Sequence, residues 1–481
     1  MLLLVFFFLC RNIRIGIHSD NFSFYFQLQI QKTSSVRPSK ITKIFLTHAH
    51  GDHSFGLPGL LCLMGQDVAG GNEAGERGPN GENVRKTKDS KPPVEIYGPE
   101  GLRLWLRTAI RYSVSRIVPR YRVHELKDVA MAPEWGYSPK WEKYYFNKQA
   151  FHELRKNGET HNRQHYWGAA NDRRKHALND PRQRGQTTDW MSLCEMGVPG
   201  IERSELYGEV EGGRDIYPTY DHPRSSHGAP VWEVEHEGGD IGDAENKGVK
   251  VYAAPMSHGV PCVGYVVEEA DRPGRLRSEF VTPICKRNVA ALKEAGFRHP
   301  MKALAVIKDL PEGGSFTFPD GTVVKQEDAV EPTRPGRKIV ICGDTNSARA
   351  MEGLSKDADV VIHEATNTFL QGGESEAATF HGVNRDAIYH GHSTPHIAGD
   401  FAKRVGAKRL ILNHFSARYM GDQSLESISI MTRIEQQAMK ASGLRRSHVA
   451  AAWDFMIFPV PKAYNKNAPT GGGGGEEKER E

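Results

Sequence analysis

The run Ile41-Thr42-Lys43-Ile44-Phe45-Leu46-Thr47-His48-Ala49-His50-Gly51-Asp52-His53 decides how the rest of the chain is read. Its first half, Ile41 to Leu46, has the apolar character of a buried strand, so His48, His50, Asp52 and His53 fall at that strand's C-terminal end. Imidazole and carboxylate groups crowded at such a point suit zinc, which takes neutral nitrogen and carboxylate oxygen and becomes catalytic when a water completes its shell. A surface cluster of histidines is the plain alternative. Three histidines and one aspartate within six residues, directly behind a strand, favour a two-metal site instead.

Outward from this run, FGLPGLLCLMG at Phe55–Gly65 completes a strand-loop-helix unit, and residues 66–93 form a Gly-rich, charged loop insertion. Val94 to Tyr97 predicts a short strand, and Leu102, Trp105, Leu106 and Ile110 give helical periodicity between Gly101 and Ser115. Further strands are expected at Val249–Ala254, Val263–Glu268, Lys338–Ile341, Val360–Ile362 and Arg409–Leu412, with helices at Arg287–Ala295 and His396–Val405. Strands alternating with helices imply a layered α/β domain.

Residues 127–245 break the pattern: Arg, His, Asn and Gly abound and periodic apolar positions are few. A largely disordered insertion is expected there. It is either a solvated loop or a segment whose Trp135, Trp141, Tyr144, Tyr145 and Trp167 stack on bases beside its arginines. Composition agrees with an interrupted core, since only 38% of the 481 residues are hydrophobic and mean hydropathy is -0.55. Length alone permits one large domain or two. A net charge of +4 and a pI near 8.6 permit a nucleic-acid partner without requiring one.

Six cysteines lie far apart with no C-x-x-C, so neither a thiolate zinc site nor a disulfide framework is indicated, and a reducing, intracellular compartment is expected. Cytosol, nucleus and an organelle all remain open. The opening MLLLVFFFLC, Met1 to Cys10, is too short to span a bilayer, and no membrane partner is indicated. It reads as a leader, an apolar strand or a stretch foreign to the mature protein. Residues 1–25 are thus an atypical N-terminal segment and 463–481 a flexible charged tail.

Each downstream strand end carries another polar group. His258 follows Val251–Ala254, Asp344 follows Ile339–Ile341, His363 and Glu364 follow Val360–Ile362, and His414 follows Leu410–Leu412. Open α/β sheets bind beyond the carboxyl ends of their strands, so these residues are expected to converge on His48–His53. Taken singly, each has an ordinary structural reading as a loop histidine or turn former; the repeated placement argues for one site.

With these motifs the chain resembles tRNase Z, the tRNA 3′-processing endoribonuclease of the metallo-β-lactamase superfamily, in its short form. THAHGDHSFGLPGLL at Thr47–Leu61 matches the family's histidine motif. GDT at Gly343–Thr345, HEAT at His363–Thr366 and GHST at Gly391–Thr394 occur in the family's order, and PICKRN at Pro283–Asn288 approximates its PxKxRN loop, with Cys285 where a lysine is usual. The likeness covers about Phe26–Leu126 and Gly248–Met456.

The resemblance implies an αβ/βα sandwich of two mixed sheets flanked by helices, over a nuclease domain spanning 26–462. The LGTG and DCGEGTQ motifs that precede Gln27 in the family do not occur here, so the sandwich is expected to lack its first N-terminal strands and to expose strand edges. It also implies two Zn2+ ions, one on His48, His50 and His258 and one on Asp52, His53 and His414, bridged by Asp344. Asp52 would take the proton of the attacking water. His392 would protonate the leaving ribose oxygen, oriented by Glu364. Lys286, Arg287, Asn288, Thr366, Ser393 and Thr394 would contact the substrate, and any arm gripping tRNA would lie within about Glu269–Glu331.

The implied activity is removal of the 3′ trailer of precursor tRNA, cutting after the discriminator to leave a 3′-OH, by a homodimer. Another metallo-β-lactamase-fold hydrolase is the first alternative. A non-catalytic RNA-binding chain, motivated by the missing strands, is the second.

Overall fold

The computed structural model describes residues 3–9, 12–16, 37–69, 76–77, 83–84, 92–113, 115, 117–129, 208–235, 249–271, 274–370, 379–420, 422, 424–453, 456 and 458–460. It divides into two compact units, one built from 1–268 and 338–460, the other from 269–337 with 461–481.

The larger unit holds two mixed sheets. The first contains β1 (Leu3–Leu9), β2 (Asn12–Gly16), β3 (Lys43–Leu46), β4 (Val94–Pro99), β5 (Tyr121–Leu126) and β6 (Asp215–Ile216), in the order β2-β1-β3-β4-β5-β6. Strands β3 to β6 run parallel, and β1 is antiparallel to both β2 and β3. The second contains β7 (Trp232–Glu235), β8 (Val249–Pro255), β9 (Val263–Glu269), β10 (Lys338–Ile341), β11 (Val360–Glu364), β12 (Leu410–Asn413) and β13 (Val449–Ala451), in the order β13-β12-β11-β10-β9-β8-β7. Here β10 to β13 are parallel, while β9 meets β10 and β7 meets β8 antiparallel.

Period-2 alternation explains why these short apolar runs are central strands. Phe45 and Tyr97 turn inward with Val263, Ile339, Ile341, Val360, Ile362 and Ile411, forming the core between the sheets. Their neighbours Ile44, Leu46 and Ile96 face the opposite way, against helices Gly56–Ala69 and Leu102–Tyr112. Val340, Val361, Leu410 and Leu412 do the same on the second sheet, against helices Pro395–Arg404 and Leu425–Ser442. Four layers result, helix on sheet on sheet on helix, as expected for the αβ/βα sandwich. Helix positions follow from spacing: Leu57, Leu60, Leu61 and Met64 line one face, as do Leu102, Leu106 and Ile110.

Two expectations are sharpened. The polar stretch 127–245 is not uniformly outside the core. Val129 is buried at its start, and near its end β6 and β7 carry Ile216, Trp232 and Val234 into the inter-sheet core, Trp232 fully buried with its indole N–H donating to Lys127 O at 2.8 Å. An ion-pair network adds to this: Arg107 grips Glu209 through two 2.6 Å bonds, and Arg103 pairs with Asp215 at 2.8 Å. Trp135, Trp141, Tyr144, Tyr145 and Trp167 lie outside the described residues. Nor is β3 an edge: β1, the apolar strand among the readings of MLLLVFFFLC, pairs Leu3 with Leu46 and Val5 with Ile44.

The smaller unit has its own core of Val281, Ile284, Cys285, Leu292, Ile307, Phe318 and Val324. Helices Ser278–Arg287, Val289–Glu294 and Ala303–Lys308 pack there with a hairpin of Ser315–Thr317 and Val323–Lys325. Buried Arg337 and Glu269 close its base through a bidentate pair, Nε to Oε2 at 2.7 Å and Nη2 to Oε1 at 2.5 Å. The helix expected at Arg287–Ala295 instead begins at Ser278 and breaks at Asn288. The Asn288 amide explains the break, donating to Ile284 O at 2.9 Å and to Asp320 Oδ2 at 2.8 Å.

Candidate metal centre

The expected convergence is present. β3 ends at Leu46 and delivers His48 and His50 in the following loop, with Asp52 and His53 in the short helix Gly51–Ser54. The second sheet delivers His258 after β8, Asp344 after β10, Glu364 at the end of β11 and His414 directly after β12. The sheets are tied at this point. Tyr265 on β9 donates its hydroxyl to Leu46 O at 2.8 Å, and Val263 N donates to Thr47 O at 3.0 Å. Gly343 sits in the same contact, where an added Cβ would lie 2.7 Å from Cys262 Sγ and 2.9 Å from the Thr47 Cβ, so no larger residue fits.

Among the described residues three groups emerge, each with its donor atoms within 4.8 Å of one another: His48, His50, His258 and Asp344; Asp52, His53, Asp344 and His414; and Glu364, His392 and His414. Asp344 belongs to the first two. Its Oδ2 lies 3.7 Å from His48 Nε2, 3.3 Å from His53 Nε2, 4.0 Å from His258 Nε2 and 3.2 Å from His414 Nε2. Asp52 Oδ2 lies 3.2 Å from His53 Nε2 and 3.4 Å from His414 Nε2.

These residues fit a cation. His48 Nε2 is buried without a hydrogen-bond partner while aimed at a carboxylate. An orphaned buried nitrogen costs about 1–3 kcal/mol, which coordination would remove. The outer nitrogens are held as ligand imidazoles usually are: His258 Nδ1 donates to Gly391 O at 2.9 Å, His414 Nδ1 lies 2.8 Å from Thr366 Oγ1, and His48 Nδ1 lies 3.1 Å from Thr47 Oγ1.

Electrostatics divide the histidines. Burial keeps His48 well below the usual imidazole range and brings His258 down to about 4, so both are neutral and ready to ligate. Burial would also lower His53, but the Asp344 and Asp52 carboxylates raise it to about 9. Burial opposes ionisation of Asp344 too; the surrounding His414, His53 and His48 overcome this and hold its carboxyl well below the ordinary range.

Beside the ligands, Glu364 is fully buried and accepts four hydrogen bonds. Oε1 takes Thr345 N at 2.6 Å and His392 Nδ1 at 3.1 Å; Oε2 takes Ser393 N at 3.1 Å and the Thr366 hydroxyl at 2.5 Å. The carboxylate thereby fixes the His392 tautomer. Burial opposes the charge on His392, but Glu364 raises its pKa to about 9, making it a proton donor at neutral pH.

The remaining expected contacts divide. Ser393 and Thr394 are buried, their hydroxyls hydrogen-bonded to Thr345 O at 2.6 Å and Asn384 Oδ1 at 2.7 Å, which braces the loop that carries His392. Thr366 turns toward Glu364 and His414. In the smaller unit Lys286 is exposed, whereas Arg287 pairs with Asp320 at 2.8 Å and Asn288 is buried. Sequence reading missed Thr47 and Gly391, the supports of His48 and His258; each directly precedes a motif histidine, the one signal that marks them.

The fold is that of the metallo-β-lactamase class, and residues 26–61 match the family described as the Metallo-beta-lactamase superfamily. The likeness to tRNase Z read from the motifs is matched as well. The chain is 28% identical over 437 residues to zinc phosphodiesterase ELAC protein 1 of Homo sapiens, covering 90% of this chain and 88% of that one. It is 27% identical over 395 residues to ribonuclease Z of Limosilactobacillus reuteri, covering 82% and 76%. Among solved structures it is similar to human tRNase Z, short form, with 22% identity, coverage of 91% and 85%, and a TM-score of 0.40.

Proposed function

We propose that the chain is a zinc-dependent endoribonuclease that removes the 3′ trailer of precursor tRNA, cutting after the discriminator. The observation that carries this reading is the pair of ligand groups sharing Asp344, with the Glu364–His392 pair set beside them. Relatives named ribonuclease Z and zinc phosphodiesterase ELAC protein 1 supply the substrate class.

Two zinc ions would be held by His48, His50 and His258 and by Asp52, His53 and His414, with Asp344 common to both, and would supply Lewis acidity to the water and the scissile phosphate. Asp52 is part exposed, and its carboxylate is kept ionised: burial opposes this, but His414 and His53 prevail. It accepts the proton of the attacking water as the water oxygen bonds to phosphorus. The bond from phosphorus to the ribose 3′ oxygen breaks, and His392 protonates that oxygen, leaving a 3′-OH on the tRNA and a phosphate on the trailer. Held at Nδ1 by Glu364, His392 offers Nε2 to the leaving group, and its ring centroid lies 5.3 Å from those of both His258 and His414.

In the smaller unit exposed Lys286 is the cation proposed to meet RNA phosphate, with Arg287 and Asn288 shaping the turn that presents it. Family likeness also makes a homodimer part of the proposal, which sedimentation of the purified chain tests. The deciding experiment incubates the zinc-loaded chain with a precursor tRNA and maps the ends. A cut after the discriminator leaving a 3′-OH supports the reading; cleavage of a model phosphodiester with none of precursor tRNA would favour a hydrolase of broader kind.

A further inference from the structure

The Thr366 hydroxyl lies among Glu364, His392 and His414. It donates to Glu364 Oε2 at 2.5 Å, a short charge-assisted bond, which leaves its oxygen to accept from His414 Nδ1 at 2.8 Å. The same oxygen lies 3.0 Å from the carbonyl of His414 and 3.4 Å from His392 Nδ1. On the main chain Thr366 O accepts Ser416 N at 3.0 Å, and the preceding Ala365 N donates to Asn413 O at 2.8 Å.

These contacts enclose a strained turn. His414 has φ 55, in the left-handed region that non-glycine residues rarely enter, and sits there as the first residue beyond β12. Such a conformation is unfavourable and persists only where its surroundings impose it. With Nδ1 directed at Thr366, Nε2 is turned toward Asp52 and Asp344.

We infer that Thr366 is the positioning residue of the His414 ligand: through one hydroxyl it ties His414 to Glu364, the carboxylate that also orients His392, so that metal ligand and proton donor are aligned by a single buried acid. The assignment rests on the ligand set proposed above but not on the RNA substrate. Glu364 therefore acts in both halves of the chemistry, directly on His392 and through Thr366 on His414.

The test is a titration of the purified full-length chain with Zn2+ against a competing chelator, for the wild type, Thr366→Val and Thr366→Ser. Valine keeps the shape and removes the hydroxyl; serine keeps the hydroxyl. Loss of such an outer partner lowers metal affinity by about 10- to 100-fold. That loss is expected for one of the bound ions in Thr366→Val, with affinity in Thr366→Ser close to wild type. Wild-type zinc affinity in Thr366→Val overturns the inference, and so does a Thr366→Ser chain as weak as Thr366→Val. Thr366→Ala removes the same hydroxyl and gives the same reading where the valine chain does not fold. Because no RNA enters the titration, its outcome stands apart from the precursor tRNA assay.

Discussion

Gly391 and His258 are joined by a hydrogen bond from the imidazole Nδ1 to the glycine carbonyl, 2.9 Å long, across more than a hundred residues of chain. Only glycine suits that position. Its φ is 79, and a Cβ there would lie 3.0 Å from the same Nδ1. Gly391→Ala is therefore expected to destabilise the fold by about 1 kcal/mol or more and to loosen His258. Thermal unfolding with and without Zn2+ checks this: the zinc-induced rise in Tm should shrink together with the Tm itself.

Asp52 has the strongest claim to the proton of the attacking water. Asp52→Ala should lower the cleavage rate by about 10²- to 10⁴-fold, the range for loss of a general base. Binding of precursor tRNA, measured by filter retention, should stay near wild type. Equal losses of binding and rate would remove Asp52 from the chemistry.

Zinc uptake should depend on pH through His53. In the absence of metal its pKa is raised to about 9, so at pH 7 it carries a proton that coordination displaces. His258, at about 4, and His48 are already neutral there and contribute no such slope. Affinity should thus rise with pH by up to about tenfold per unit below pH 9 and level off above it. Chelator competition between pH 7 and 10 measures the slope, and a flat profile would count against His53 as a ligand.

His392 should set the alkaline limb of cleavage. A proton donor must be protonated, so activity is lost as pH rises through its pKa. That value is near 9 without metal, where Glu364, Asp344 and Asp52 raise it, and falls once cations neutralise the two aspartates. His392→Ala should remove this limb and lower kcat, while leaving zinc content unchanged.

Removal of 127–245 is expected to abolish folding, because it takes Trp232, Val234, Ile216 and Val129 from the core. A replacement confined to 130–207 has a geometric requirement. Tyr121 at the start of β5 bridges Glu209, while Val129 lies past its other end, so the connection has to recover about 17 Å of strand at about 3.3 Å per residue. A linker of about fifteen residues should preserve the circular dichroism and the zinc affinity; one of three residues should not.

How much of this was legible in the sequence follows from what each residue does. The candidate ligands' convergence was legible because metal chemistry restricts such residues to few types and the parallel strands put them at predictable ends; Ile339–Ile341 before Asp344 and Leu410–Leu412 before His414 show both signals together. Trp232 was not, because the alternation Trp232-Glu233-Val234-Glu235 is only four residues long and sits between polar flanks, and its partner β8 lies beyond a further polar segment. The partners of Ser393 and Thr394 were not legible, because a hydroxyl in a motif carries no mark of the direction it faces. Asn288 misled differently, ending a helix with a side-chain amide whose partner Asp320 is distant in sequence.

The division of the ligands between the sheets reaches beyond catalysis. His48 to His53 follow β3, and His258, Asp344 and His414 follow strands of the other sheet, so the complete donor set exists only after both sheets have formed and closed on one another. Contacts of such long sequence separation are slow to assemble. Ion capture by the proposed ligand set would then be a terminal step of maturation and a test of it: a chain with either sheet mispaired would lack the complete set, and so would fail inspection before acquiring the means to cut.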